Sequence, residues 1–418
     1  MSSARWNVLL YAISGTDSEH SSNLAAIAEM HGALTTDDCQ IVMQVHAPGR
    51  TTRYWLSAGH PVRTQVLPQV VDASRQSSLT SFLDEANRTI PAASTMLVLW
   101  AHAAGLDHVH SYPKQPPDGH PAGAKLGGRR QAALIAHSAA LGYEVLRGGD
   151  VKLPPLSARS MIELPAARHP DRYGCQWGPD PNSKDFLTNV SMKQAIAASA
   201  RGRVDVLALN ACHMAALEIA YELRKVADVE VASQVYARPW PYGAIIAALS
   251  QSPVQTAEHL ARLIVSAVHA DIVAGKRDDA VSAIRAGDSL EQLADALDPY
   301  AKRVTALIDS NWQAVQHAVM NQATRLDDPY QLDLLSLIRV LGKGDPDAEA
   351  AAKVIATRLD AAVIANAADA GHPGVHGLSL FCPRDTHVDL IDAYQGTDFR
   401  THAWAKFLCK FQRRAASS

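Results

Sequence analysis

The segment RVDVLALNACHMAALEIAY, from Arg203 to Tyr221, changes its hydrophobic period halfway along. Val204 to Leu209 is an apolar run broken only by Asp205, the pattern of a strand buried on both faces of a parallel sheet. Asn210-Ala211-Cys212 follows as a turn, and the residues beyond it repeat with a helical period. Such a strand delivers Cys212 to the carboxyl edge of a sheet, just before a helix N-terminus that favours thiolate over thiol. That is a suitable mount for a nucleophile. The alternative is inert packing, because free cysteines rank among the most buried side chains.

A second apolar run, Ser94 to Ala101 (STMLVLWA), ends on His102 and Ala103. An imidazole at one strand end and a thiol at another form the minimum set for cysteine nucleophilic catalysis. If the two strands are neighbours in one parallel sheet, both side chains emerge on the edge where α/β proteins bind ligands. Trp6 to Ser14 reads as the first strand and Cys39 to His46 as the second. Gly15-Thr16-Asp17-Ser18 supplies the start of a helix over about 19–34. A hairpin arm over Thr51 to Ala58 and a helix from Ser77 to near Pro91 complete a βαβ series.

The regular pattern then breaks. Prolines crowd residues 106–190, which read as a surface elaboration near the active edge. Periodicity returns with a short helix over Ser191 to Ala200, the Cys212 strand, a helix over about 215–226 and a strand over Glu230 to Val235. The proline-stiffened aromatic loop Tyr236 to Tyr242 comes next. Beyond it helices predominate, with a short strand at Val281 to Ile284, a long helix over Ala348 to Ala368 and a last strand at Gly377 to Phe381. The expected organisation is a core over 1–255 carrying the 106–190 insertion. A mainly helical region over 256–418 then returns the 377–381 strand to that core.

Composition sets the outer limits. With 418 residues, 47% hydrophobic and 19% charged, the chain is ordinary globular protein rather than disordered. A formal net charge of −3 without a long block of one sign gives no electrostatic case for nucleic acid or an anionic membrane. The apolar run near the N-terminus fits a strand better than a signal peptide, and no stretch has the length of a membrane span. Cys39, Cys175, Cys212, Cys382 and Cys409 are odd in number and scattered, with no CxxC spacing. They argue against a disulfide framework or structural zinc and fit a reducing cytoplasm, the expected location.

The motifs resemble those of the clostripain family of cysteine peptidases, relatives of caspases, gingipains and legumains. The likeness runs through Trp6 to Gly15, Leu24 with Glu29-Met30, and Leu99-Trp100-Ala101-His102. It continues in Asn210-Ala211-Cys212-His213-Met214, Glu218 to Leu223, Val231-Ala232-Ser233 and Trp240-Pro241-Tyr242. Asp333-Leu334, Gly377-Leu378-Ser379 with Pro383, and Trp404 with Phe407-Leu408 extend it almost to the end. The resemblance implies an α/β fold: a caspase-like αβα sandwich around a mostly parallel sheet, with a helical C-terminal elaboration.

For activity it implies a cysteine endopeptidase acting on a polypeptide through a Cys212 thioester, with His102 as general base and acid. The N–H groups of Ala103 and Cys212 would form the oxyanion hole. The family has glycine after its histidine, so Ala103 serves only if its φ is negative. Where the family places an aspartate for a basic P1 side chain, this chain has Asn210, and Gln234 stands after Ser233 where an acid is common. Asn210, Ser233, Gln234, Trp240 and Tyr242 are the expected substrate-binding residues, with core packing as the alternative for the two aromatics. The resemblance also implies calcium as a possible cofactor. His108, His110, His120 and Asp107 are weak metal candidates, and the default expectation is no cofactor. Arg129-Arg130 is the candidate processing site, with a solvated basic pair as its alternative. A regulatory partner is compatible with such an enzyme and is not named by any residue. The rival class is a degenerate relative that keeps the fold and binds without turnover, favoured by Ala103, Asn210 and His213.

Overall fold

The computed structural model describes residues 4–103, 176–177, 180–183, 187–251, 256–328, 330–382 and 397–416. In chain order these form β1 (Ala4–Ile13), α1 (Asp17–Ala33), β2 (Cys39–Ala47), β3 (Arg50–Leu56), β4 (Arg63–Val66), α2 (Gln76–Thr89) and β5 (Ala92–Trp100). After the short β6 (Gln176–Trp177) and β7 (Leu187–Thr188) come α3 (Asn189–Ala198), β8 (Val204–Asn210), α4 (Leu217–Leu223) and β9 (Ala227–Ser233). The next elements are α5 (Tyr242–Gln251), α6 (Ala257–Val273), β10 (Ala280–Arg285), α7 (Asp288–Ser310), α8 (Trp312–His317) and β11 (Gln331–Asp333). The series ends with α9 (Leu334–Leu341), α10 (Pro346–Ala362), β12 (Val363–Ala368), β13 (Ser379–Phe381) and α11 (Ala403–Ala416).

Nine strands make one sheet in the order β12-β10-β9-β8-β5-β1-β2-β3-β4. The central five pair in parallel, and the outer strands on both sides pair antiparallel. Alternate residues of each central strand face opposite layers, as the pleat requires. Leu97 and Leu99 of β5, with Leu207 and Leu209 of β8, join the apolar layer that holds α2, α3, α4 and α7. Met96, Val98, Val206 and Ala208 join the opposite layer with α1, α5 and α6. Strands buried on both faces explain why these runs are apolar throughout rather than alternating. The expected αβα sandwich is therefore present.

Three boundaries differ from the sequence reading. The strand at Ser379–Phe381 does not return to the main sheet; it pairs antiparallel with β11 in a separate two-stranded sheet. The strands that the C-terminal region adds to the main sheet are β10 and β12. The helix expected over 348–368 stops at Ala362, and Val363–Ala368 is extended because β10 offers it a pairing edge, so tertiary context overrides helical propensity. Of the proline-rich segment, residues 104–175 lie outside the described residues, and with them Asp107, His108, His110, His120, Arg129 and Arg130. Among the described residues no helix is long and apolar enough to cross a membrane.

Among the buried charge-bearing groups, Glu230 sits within the central sheet itself. Glu230 in β9 lies between Leu207 of β8 and Ile284 of β10, fully buried, with Oε1 lacking a hydrogen-bond partner. Burial pushes its carboxyl up to about 8. A folded-state value above the unfolded one means that the stabilisation is complete below about pH 4 and is lost as pH rises to about 8. Glu230→Gln should therefore flatten the fall in stability between pH 5 and 8, read from urea midpoints across that range.

Candidate active site

The geometry starts from the pairing of β5 with β8. Their parallel register sets Trp100 opposite Asn210, and His102 and Cys212 each follow two residues later. Adjacent strands are about 4.8 Å apart, so both side chains are launched from neighbouring points on the carboxyl edge. The register thus places the positions of His102 and Cys212 just past the ends of neighbouring strands. Ala103 is buried, and among the described residues His213 is the non-glycine with positive φ, at 58°. Ala103 therefore needs no glycine conformation.

Cys212 is 5% exposed. Its Sγ accepts the Ala237 N–H at 3.4 Å, so the loop after β9 lies directly over the sulfur. Burial pushes the thiol up to about 12; the Ala237 bond works in the opposite direction, while Asp279 and Asp327 add to the rise. The resting sulfur is consequently a protonated thiol. His213 holds the turn beyond it: its N–H donates to Val235 O at 3.1 Å, and its ring meets Tyr236 edge-on at 4.7 Å. Histidine is among the residues that tolerate the left-handed region, which the tight exit from β8 demands here.

The loop over Cys212 is pinned by residues that the sequence assigned to substrate. Asn210, 2% exposed, donates from Nδ2 to Arg238 O at 2.9 Å. Its Oδ1 accepts from Trp240 N at 3.2 Å and from Tyr242 Oη at 2.9 Å. Trp240 and Tyr242 are buried in the layer of α1, α5 and α6, and the Tyr242 ring packs on Trp100 at 5.2 Å. The two aromatics thus take the core-packing alternative in this arrangement. Ser233 donates to Asp279 Oδ1 at 2.7 Å, and Gln234 donates to Asp333 while accepting from Gly377 N at 2.8 Å. All five side chains are buried, and it is Asn210 whose hydrogen bonds hold the loop in place.

Other residues of the site were not singled out in the sequence. Buried Arg277 donates to the carbonyls of Arg238 and Pro239 at 2.9 and 3.0 Å and pairs with buried Asp279. Asp327 accepts from His372 Nε2 at 3.3 Å and from Tyr236 N at 3.5 Å, while His372 Nδ1 reaches Asp369 at 2.7 Å. Burial opposes ionisation of Asp327, but the His372 contact holds its carboxyl below the usual range. Glu19 of α1 places Oε1 2.5 Å from His102 Nε2. Thr16-Asp17-Ser18-Glu19 is a capping-box pattern, so Glu19 had a visible local signal, but nothing local reveals its contact with His102. Among the described residues no cluster of three or more His, Cys, Asp or Glu is placed to hold a metal ion.

A family model described as the clostripain family matches residues 171–408, more than half of the chain. No curated protein sequence matches at a significant level. Among solved structures, the chain is similar to an inactive zymogen C11 protease from Parabacteroides distasonis. The identity is 17% and the TM-score 0.61, covering 96% of this chain and 98% of that one. It is also similar to a secreted C11 cysteine protease from Bacteroides thetaiotaomicron bound to an irreversible peptide inhibitor, at 14% identity and TM-score 0.62. There the coverage is 96% of this chain and 99% of the other. At such identities the likeness is one of fold, and it extends over essentially the whole length.

Replacing Asn210 by Ala would leave the Trp240 N–H and Tyr242 O–H buried without their acceptor. The expected loss is about 2 kcal/mol or more in denaturant titration. Alkylation of Cys212, followed by peptide mass spectrometry, should speed up as the loop loosens.

Proposed function

The chain belongs to the clostripain family of cysteine peptidases, and from that premise we propose an endopeptidase with Cys212 as nucleophile and His102 as proton carrier. The observation that carries this reading is the Trp100–Asn210 register, from which both groups leave adjoining strand ends. In the proposed cycle His102 takes the Cys212 proton as Sγ bonds to the scissile carbonyl carbon. The C–N bond then breaks, His102 gives its proton to the departing amine, and water hydrolyses the thioester. The N–H groups of Ala103 and Cys212 hold the oxyanion, a contribution of roughly 3 to 4 kcal/mol per donor in such sites.

The buried, protonated thiol means that the loop carrying Ala237 must move aside before a peptide reaches Sγ. A cationic P1 side chain would look for a carboxylate elsewhere than at position 210, where the amide is spent on the loop. Asp279 and Asp327 are the carboxylates whose field reaches the thiol, and Asp279 is paired with Arg277. Asp327 is held by His372, an imidazole that can give up its proton as a guanidinium cannot, so this reading assigns recognition of a basic P1 residue to Asp327.

Profiling against a peptide library tests the proposal. Cys212→Ala should abolish cleavage while moving the melting temperature by no more than about 2 °C, the scale of a mild substitution. Asp327→Asn should reduce the preference for Arg and Lys over neutral P1 residues. Undiminished cleavage by the Cys212 variant would reject the nucleophile, and an unchanged P1 profile would reject Asp327.

A further inference from the structure

Three consecutive strands of the sheet, β1, β5 and β8, end at one edge, with Ala12, Trp100 and Asn210 in successive register. Beyond β8 lies Cys212 and beyond β5 lies His102. Beyond β1 the chain enters α1, whose first turn carries Glu19. We infer that Glu19 is the positioning carboxylate of an acid–imidazole–thiol array laid across these three strand ends. The inference rests on the assignment of His102 and Cys212 proposed above.

The geometry of Glu19 fits the role on both of its oxygens. Oε2 accepts from the N–H groups of Gly15 and Thr16, at 2.6 and 3.0 Å, which closes the capping box of α1 with the Thr16 side chain. That fixes the carboxylate in the plane of the helix entrance and leaves Oε1 for His102 Nε2, at 2.5 Å. Both partners are only partly exposed, with side chains at 26% for Glu19 and 32% for His102. Burial opposes ionisation of Glu19, but the His102 bond and the two backbone N–H groups hold it below the usual carboxylate range.

A carboxylate only accepts hydrogen bonds, so Nε2 of His102 carries a proton and Nδ1 is the basic nitrogen of the neutral ring. Glu19 thus selects the tautomer and fixes the ring plane. When His102 takes the thiol proton, the same carboxylate stabilises the imidazolium that results. Glu19 does not touch the sulfur; it acts through the imidazole. Its second task, capping α1, ties the orientation of that ring to the integrity of a helix buried through Ala26, Ile27 and Met30.

The test separates the two tasks. Glu19→Gln keeps an oxygen for Gly15 and Thr16, as Gln is the other residue found at this capping-box position, but removes the charge. Thr16→Ala breaks the other half of the box and leaves the Glu19–His102 contact. Each full-length variant is assayed for Cys212 alkylation by iodoacetamide against pH and for peptide cleavage. Glu19→Gln should slow alkylation near neutral pH about tenfold, the loss expected when a charge-assisted contact to the imidazole is removed. In cleavage it should lower kcat with little change in KM, while Thr16→Ala leaves the alkylation rate in place and lowers only the melting temperature. An alkylation curve of Glu19→Gln that superimposes on the wild type overturns the inference, as does faster alkylation, which would make the contact a restraint on His102. Alkylation is read without any substrate, so a failure of the peptidase reading registers separately, as a normally reactive Cys212 with no peptide cleaved.

Discussion

The parallel hydrogen-bonded pairing of β5 with β8 is the constraint on which the rest depends. Because side chains alternate with a period of two, moving one strand by a single residue would exchange its two faces. Leu97 and Leu99 would leave the layer of α2, α3 and α7, and Met96 and Val98 would take their places. Both faces are filled with well-buried side chains of different shape, so the register is held by packing on two sides at once. The proposed imidazole and thiol inherit their placement from that packing. Neither needs a loop to bring it to the edge.

What the loop contributes is cover. Tyr236 to Tyr242 crosses Cys212 and is held from below by Asn210, from the side by Arg277 and at its start by Asp327. A thiol so enclosed is desolvated and protonated, the opposite of the primed thiolate suggested by a strand end before a helix. The helix α4 also begins only at Leu217, five residues past the sulfur, so its N-terminus is not adjacent to Sγ in sequence. Burial and two carboxylates outweigh a remote helix end, and the proposed cycle draws its reactivity from the imidazole and from opening of the cover.

The apolar runs of β1, β5 and β8 were legible because a strand buried on both faces has few polar positions to interrupt it. The cysteine and the histidine were legible because each ends such a run. Asn210 was read through its family counterpart as a specificity residue, and its hydrogen bonds to a loop some thirty residues later could not be inferred from local pattern. Glu19 was hidden for a related reason: its capping role is local, whereas its contact with His102 spans 83 residues. Val363 to Ala368 has an alanine-rich, helix-compatible composition, and only the open edge of β10 makes it a strand. Pattern reading found what depends on neighbours in sequence, and missed what depends on pairing across the fold.

Arg277 and Asp279 sit just before β10, in the half of the chain that a composition-based division would assign to an appendage. Yet Asp279 anchors Ser233 at the end of β9, and Arg277 grips the backbone over the sulfur. The C-terminal half is therefore tied by hydrogen bonds to the loop over Cys212 and to the end of β9. A truncation that removed β10 and its approach would take Arg277 and Asp279 with it, and so the hydrogen bonds that hold the backbone over the thiol.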